Sequence, residues 1–122
     1  MKNNYPKTLK DVSLFIQSGE GLQNTLGNFL DQFKRLPTPQ AFAEIPVNLG
    51  KEMNTYLAAV ADYLAEEIGT EAPSWSKNSL LVFDPPLYPT KNPDYQALLL
   101  YECPIAFRKR GIIVSKNALS RA

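Results

Sequence analysis

Arg108, Lys109 and Arg110 stand in a row, five residues after the single cysteine Cys103, and the chain contains no histidine. These are the residues whose types could do chemistry, and they constrain it chiefly by what is missing. One cysteine closes no intramolecular disulfide, and without imidazole most zinc sites and every His-based triad or acid–base pair are excluded. Carboxylates remain as proton carriers. The neighbours Glu66 and Glu67, however, would point about 100° apart on a helix, which suits a solvated helix end better than a catalytic pair. Cys103, beside Pro104 in an apolar run, reads as a buried small residue. The sequence thus presents no catalytic, cofactor or metal constellation and reads as non-enzymatic.

The basic cluster invites a binding role instead. Residues 103–122 carry five basic side chains (Arg108, Lys109, Arg110, Lys116 and Arg121) and no acidic one, while residues 1–102 sum to −4. Three consecutive cations fan over most of a helical turn, so they do not all face one phosphate groove. Arg108 is expected to turn inward towards Glu102 or the C-terminal carboxylate, with Lys109 and Arg110 outside. Two roles stay open for the tail: a complement to a helix C-terminus and the acidic scaffold, or a docking surface for an acidic protein or nucleic acid. The five basic residues form the candidate partner surface. A second candidate is the recognition segment Trp75, Pro86, Tyr88 and Pro89, since proline with interleaved aromatics docks on aromatic grooves in extended form. The favoured alternative plugs Trp75, Phe83, Leu87 and Tyr88 into the protein's own core.

The elements that must position these residues are mostly helical. Thr8 with Asp11 three positions on marks a helix entrance, and Leu9, Val12, Phe15 and Ile16 follow at helical spacing up to a stop at Gly19. Leu22, Leu26, Phe29, Leu30, Phe33 and Leu36 form the stripe of a second helix, ended by Pro37 and Pro39. Together they predict a helical hairpin over about 8–36. Read as a helix-turn-helix, its second helix would face DNA with Gln23, Asn24, Asn28, Asp31 and Gln32, and that face carries too little positive charge for phosphate. A packed hairpin is the reading preferred here.

A connector over 37–50, with room for one helical turn, leads to the strongest element. Met53, Tyr56, Leu57, Val60, Tyr63, Leu64 and Ile68 recur every three or four residues over 51–68, with Glu52, Thr55, Asp62 and Glu66 elsewhere on the wheel. Residues 70–93 then read as irregular and Trp/Pro-rich, with four prolines between Pro85 and Pro93 excluding both helix and central strand. Asp94 is the expected N-cap of a helix through Tyr95, Leu98, Leu99 and Glu102, its apolar side given to the core. Pro104 breaks it or opens another turn ending at Gly111, and Ile112–Val114 is extended, pairing with Leu81–Phe83 as a minimal two-stranded element. Ser115–Arg121 allows one last turn.

The fold class is therefore mostly α: a small single-domain helical bundle of about four to five helices over residues 1–122, with a proline-rich irregular segment, a C-terminal helical segment and basic tail over 94–122, and at most a minimal β element. A chain of 122 residues buries roughly two-thirds of its unfolded surface, enough for a core without staples. Its 44% hydrophobic and 20% charged content is that of a globular protein. No apolar run approaches the roughly 18 residues of a membrane span, and the polar start leads into no signal-peptide core, so a cytoplasmic address is expected.

One resemblance adds to this reading. Pro-Ser-Trp75, the proline-rich hinge, the Leu-rich helix and the close Cys103-Pro-Ile-Ala-Phe-Arg-Lys-Arg-Gly-Ile-Ile-Val-Ser-Lys-Asn-Ala-Leu-Ser-Arg-Ala122 resemble a family of small uncharacterised bacterial proteins. That family closes on a Pro-x-x-Phe-Arg-x-Arg segment followed by Asn-x-Leu-x-Arg-Ala. The likeness covers residues 70–122, and more faintly 8–36 through Phe29-Leu-Asp-Gln-Phe33. It implies a partner rather than a chemistry: some members are encoded beside a nucleotidyltransferase-like protein, an arrangement that resembles toxin–antitoxin pairs. The expected function is a non-enzymatic protein-interaction module, antitoxin-like or accessory, with self-association open. The alternative is a nucleic-acid-binding regulator using the basic tail or the N-terminal hairpin.

Overall fold

The spacing of apolar residues becomes five α-helices among the described residues of the computed structural model, which are 6–78, 80–115 and 119. The first helix, α1 (Leu9–Gln17), starts where Thr8 accepts the Asp11 N–H at 3.0 Å. The Asp11 carboxylate accepts the N–H of Lys7 at 3.0 Å, one residue before the position a capping box would use. Helix α2 (Leu22–Arg35) packs on α1 and buries Leu26, Phe29, Leu30 and Phe33, with Lys34 and Arg35 in its last turn. The predicted hairpin is present, and α2 carries no basic residue before Lys34.

The connector contributes more than a link. A 3₁₀ turn over Pro39–Phe42 buries Ala41 and Phe42, and Phe33 meets the Phe42 ring at 6.2 Å between centroids. Buried Ser13 donates its hydroxyl to the Lys10 carbonyl at 2.6 Å and accepts the Val47 N–H at 3.0 Å, which pins the connector to α1.

Helix α3 (Lys51–Glu67) is the centre of the protein. Leu57, Ala58, Ala59, Val60 and Ala61 are all fully buried, and two of the residues off the apolar stripe are buried as well: Thr55 is 0% and Asp62 8% exposed. Glu52, Glu66 and Glu67 are exposed, the last two at the solvated helix end that their spacing suggests. Alanines at 58, 59, 61 and 65 let neighbouring segments approach closely along the middle of the helix, so burial extends beyond the stripe. Thr55 satisfies its hydroxyl on the Lys51 carbonyl at 2.7 Å; Asp62 requires partners from elsewhere.

Those partners come from the irregular region and the C-terminal segment. A 3₁₀ turn over Ser74–Lys77, within the stretch expected to be irregular, packs on α3, as does the short helix α5 (Ile105–Arg108). Phe107 of α5 is fully buried and meets Tyr56 edge-on at 5.2 Å between centroids. Beyond α5 the chain turns at Gly111 and runs beside residues 83–87. The Phe83 N–H bonds the Arg110 carbonyl at 2.8 Å, Leu87 N–H the Gly111 carbonyl at 2.7 Å, and Ile113 N–H the Leu87 carbonyl at 2.9 Å. The only β element among the described residues is the parallel bridge of Leu87 with Ile112. The partner of Ile112–Val114 is thus Leu87, four residues past the end of the predicted Leu81–Phe83. The prolines around Leu87 restrict ladder hydrogen bonding to isolated contacts.

The remaining helix, α4 (Pro93–Glu102), is capped by Asn92, whose side chain accepts the Asp94 N–H at 2.9 Å, with Pro93 in the first turn. The cap lies two residues before the predicted Asp94, because Pro93 extends the helix at no hydrogen-bonding cost. No helix among the described residues is long and apolar enough to cross a membrane.

Two outcomes follow from this packing. Gly111 adopts φ +75°, and a Cβ there would overlap the Phe83 carbonyl oxygen; Gly111→Ala should cost on the order of 2–4 kcal/mol in urea unfolding, and an unchanged midpoint would show that the crossing is not tight. Burial pushes the Tyr56 phenol above its ordinary 10.0. The folded state therefore holds that proton more firmly, so its contribution to stability is complete below about pH 10 and is lost as pH rises through the folded value. Tyr56→Phe should flatten alkaline unfolding curves in that window.

Candidate interaction surface and the ion pair behind it

The three consecutive cations separate as soon as the backbone turns out of α5. Arg110 is 8% exposed. Its Nε donates to Asp62 Oδ2 at 2.9 Å, its Nη2 approaches the same oxygen at 2.7 Å and donates to the Ser76 carbonyl, and its Nη1 donates to the Leu81 carbonyl at 3.0 Å. Asp62 Oδ1 accepts the Ser76 hydroxyl at 2.9 Å. One guanidinium thereby ties α3, the Ser74–Lys77 turn, the bend at Leu81 and the C-terminal turn. Among the described residues no buried side-chain nitrogen or oxygen lacks a hydrogen-bond partner.

This reverses the predicted disposition. Arg110, placed on the candidate partner surface, is inside, and Arg108, predicted to turn inward, is exposed. The physical reason is Asp62: a buried carboxylate needs a cation with several fixed donors, and Arg110 brings both Nε and Nη2 to it. Arg108 instead lies back along α4, with Nη1 3.4 Å from the Leu100 carbonyl. Lys109 is exposed and reaches Asp62 Oδ2 at 3.5 Å, a longer and more solvated contact than that of Arg110. Lys116 and Arg121 lie outside the described residues. Of the five predicted surface cations, Arg108 and Lys109 are the described ones that face solvent.

The second candidate set divides in the same way. Trp75 is half-buried and donates its indole N–H to the Phe42 carbonyl at 2.9 Å. Tyr88 packs partly against the core, whereas Pro86 and Pro89 are exposed. The aromatic residues therefore serve the core, as the favoured alternative had it, and the prolines form its outer edge. Cys103 is buried, accepts the Val114 N–H at 3.5 Å, and has its thiol pushed up by burial, which disfavours the reactive thiolate.

The surface that emerges is one the sequence reading had assigned to the core. Helix α4 contains no buried residue. Tyr95, Leu98, Leu100 and Tyr101 are exposed at 60%, 53%, 39% and 85%, and Ile105 just beyond at 63%. These make up half of the large apolar side chains exposed among the described residues, gathered within eleven positions. Leu99 is the leucine of this helix that packs partly on the core. A signal was legible: three leucines in succession point in three directions on a helix, so one core contact leaves two outside. The Arg108 guanidinium lies at the C-terminal end of this apolar face and Lys109 follows it.

No group of three or more His, Cys, Asp or Glu side chains among the described residues is arranged to hold a metal ion. No protein-family model matches the chain, and neither the curated proteins nor the solved structures contain a significant match to it.

The ion pair makes a direct claim on stability. Arg110→Ala strands a buried carboxylate and should cost about 3–5 kcal/mol in urea unfolding, with Arg110→Lys intermediate because the charge survives without the fork. The double substitution Asp62→Leu with Arg110→Leu should be milder than Arg110→Ala alone. A loss for Arg110→Ala within the roughly 0–1 kcal/mol of a surface pair would rule out the connecting role.

Proposed function

We propose that this protein is a non-enzymatic interaction module that docks on another protein through the outer face of α4. The observation that carries the reading is a helix without a buried residue in a small protein whose other long helices are well covered. Leaving Tyr95, Leu98, Leu100, Tyr101 and Ile105 in water forgoes roughly 1.5–3 kcal/mol for each large side chain that burial would stabilise. Exposed apolar side chains gathered on one short helix, with charge at its C-terminal end, are what protein interfaces use. Aromatic residues with an arginine at the edge are also the residue types in which binding energy concentrates.

Charge defines the partner further. Exposed Arg108 and Lys109 border the C-terminal end of the face, so the complementary surface is an apolar groove or helix with carboxylates at the matching edge. An antitoxin-like or accessory subunit fits this description, and the resemblance of residues 70–122 directs attention to a nucleotidyltransferase-like protein as the partner to try first. In that reading the Asp62–Arg110 pair holds the base of α5 rigid, so that α4 is presented on a fixed support.

The test is co-purification with the product of an adjacent gene, followed by titration calorimetry. The wild-type chain should bind, and Leu98→Asp with Tyr101→Asp should weaken binding by at least about 30-fold, the loss of one central contact of roughly 2 kcal/mol. Arg108→Glu should weaken it less and remove its salt dependence. A dimer of this chain dissolved by Leu98→Asp would assign the face to a second copy and overturn the partner reading. Salt-sensitive DNA binding lost in Arg108→Ala with Lys109→Ala, with α4 substitutions silent, would overturn it in favour of a nucleic-acid regulator.

A further inference from the structure

The buried ion pair has an outer side. A cleft of about 340 Å³ opens there, lined by Lys77, Asn78, Leu81, Val82 and Lys109, with Arg110 and Asp62 behind them. Asp62 is already saturated: one oxygen accepts the Ser76 hydroxyl and the other the Arg110 guanidinium. Its single charge is therefore matched by Arg110 at 2.7 Å, and Lys109 at 3.5 Å is a second cation sharing the same carboxylate. Lys77 adds a third, held by Glu71 at 3.3 Å in a pair whose carboxylate side chain is 90% exposed. Such a surface pair is worth little and yields readily to a better acceptor.

Lys77, Lys109 and Arg110 thus set three positive charges against Asp62, an excess of two once Lys77 exchanges Glu71 for a ligand. They also include neutral donors. Asn78 spends its carbonyl oxygen on the Leu80 N–H at 2.9 Å, and among the described residues its NH₂ group makes no hydrogen bond and can be offered to a ligand. Of the five N–H protons of Arg110, four are committed to Asp62, Ser76 and Leu81 among the described residues, leaving one on Nη1. Leu81 and Val82 supply an apolar wall.

We infer that this cleft is a binding site for a phosphomonoester-bearing small molecule. Three separate donors, Lys77, Lys109 and Asn78, suit the tetrahedral oxygens of a phosphate group, which near pH 7 carries about −1.5 to −2, matching the excess charge. A carboxylate brings half that charge and two coplanar oxygens. An extended nucleic-acid backbone is disfavoured, because exposed Glu71 beside Lys77 interrupts a track for successive phosphates. The apolar wall takes the carbon skeleton of the ester. The site stands independently of the α4 reading, since it uses neither Arg108 nor any residue of that helix.

The experiment is an amide NMR titration of the full chain with inorganic phosphate, phenyl phosphate and acetate at constant ionic strength. Phosphate should give saturable shifts centred on Lys77, Asn78 and Lys109, phenyl phosphate should bind more tightly, and acetate should bind more weakly than either. Lys109→Gln and Lys77→Gln should each weaken phosphate by about tenfold, the loss of one charge-assisted hydrogen bond, while Lys109→Arg retains binding and Arg108→Gln is silent. Both lysines are about half exposed, so these variants keep the fold, which their melting curves verify. Unsaturable shifts, shifts spread equally over Lys34 and Arg108, or acetate binding as tightly as phosphate would each overturn the assignment.

Discussion

The pairing of Asp62 with Arg110 is the interaction on which the arrangement of the second half of this protein depends. A carboxylate in the middle of an alanine-rich helix has a large desolvation cost, and it is offset here by a bidentate guanidinium and a serine hydroxyl. Each of those partners arrives from a different segment. Ser76 comes with the 3₁₀ turn over Ser74–Lys77, Arg110 with the turn after α5, and Leu81 contributes a carbonyl to the same guanidinium. Segments rich in proline have few backbone hydrogen bonds of their own to organise them. A buried ion pair that demands specific geometry does that work instead.

Seating Arg110 inside has consequences for what lies outside. The backbone must place residue 110 against α3, and the left-handed turn at Gly111 then carries the chain beside Phe83 and Leu87. Arg108, two positions earlier, is thereby directed away from Asp62 and onto the end of α4. Lys109, between them, is left at the rim of the cleft. A single run of three cations is divided into a structural residue, a residue bordering the exposed apolar side chains of α4 and a residue bordering the cleft outside the ion pair. The two proposed binding surfaces are thus separate products of one turn, which is why substitutions at 108 and 109 distinguish them.

The helical part of the fold was legible because it rests on local rules. Thr8 with Asp11, the stripe from Leu22 to Phe33, the stops near Gly19 and Gly69 and the long periodic run over 51–68 all appear close to their predicted limits. The mostly α class and the helix count of four to five followed from those same signals. The candidate surface was legible only in part. Arg108 and Lys109 are exposed as a basic cluster suggests, whereas the apolar run around Leu98 was assigned to the core on the ground that a small protein needs all its apolar area. That argument counts area without asking what direction each side chain takes. Leu98, Leu99 and Leu100 point three ways, and one contact with the core was enough to seat the helix.

By itself, the sequence determined the long helices, the Thr8 cap of the first, the absence of histidine chemistry and the polarity of charge between the two parts of the chain. These are set by residues within a few positions of one another, where backbone geometry leaves little choice. Tertiary structure decided that Asp62 is inside, that Arg110 rather than Arg108 meets it, that Leu87 rather than Leu81–Phe83 bridges Ile112, and that α4 shows its leucines to solvent. Each of these joins residues at least twenty-five positions apart, or depends on what fails to cover a surface. The free energy of pairing a buried charge is decided by which distant segment can reach it, and no local pattern in the chain records that distance.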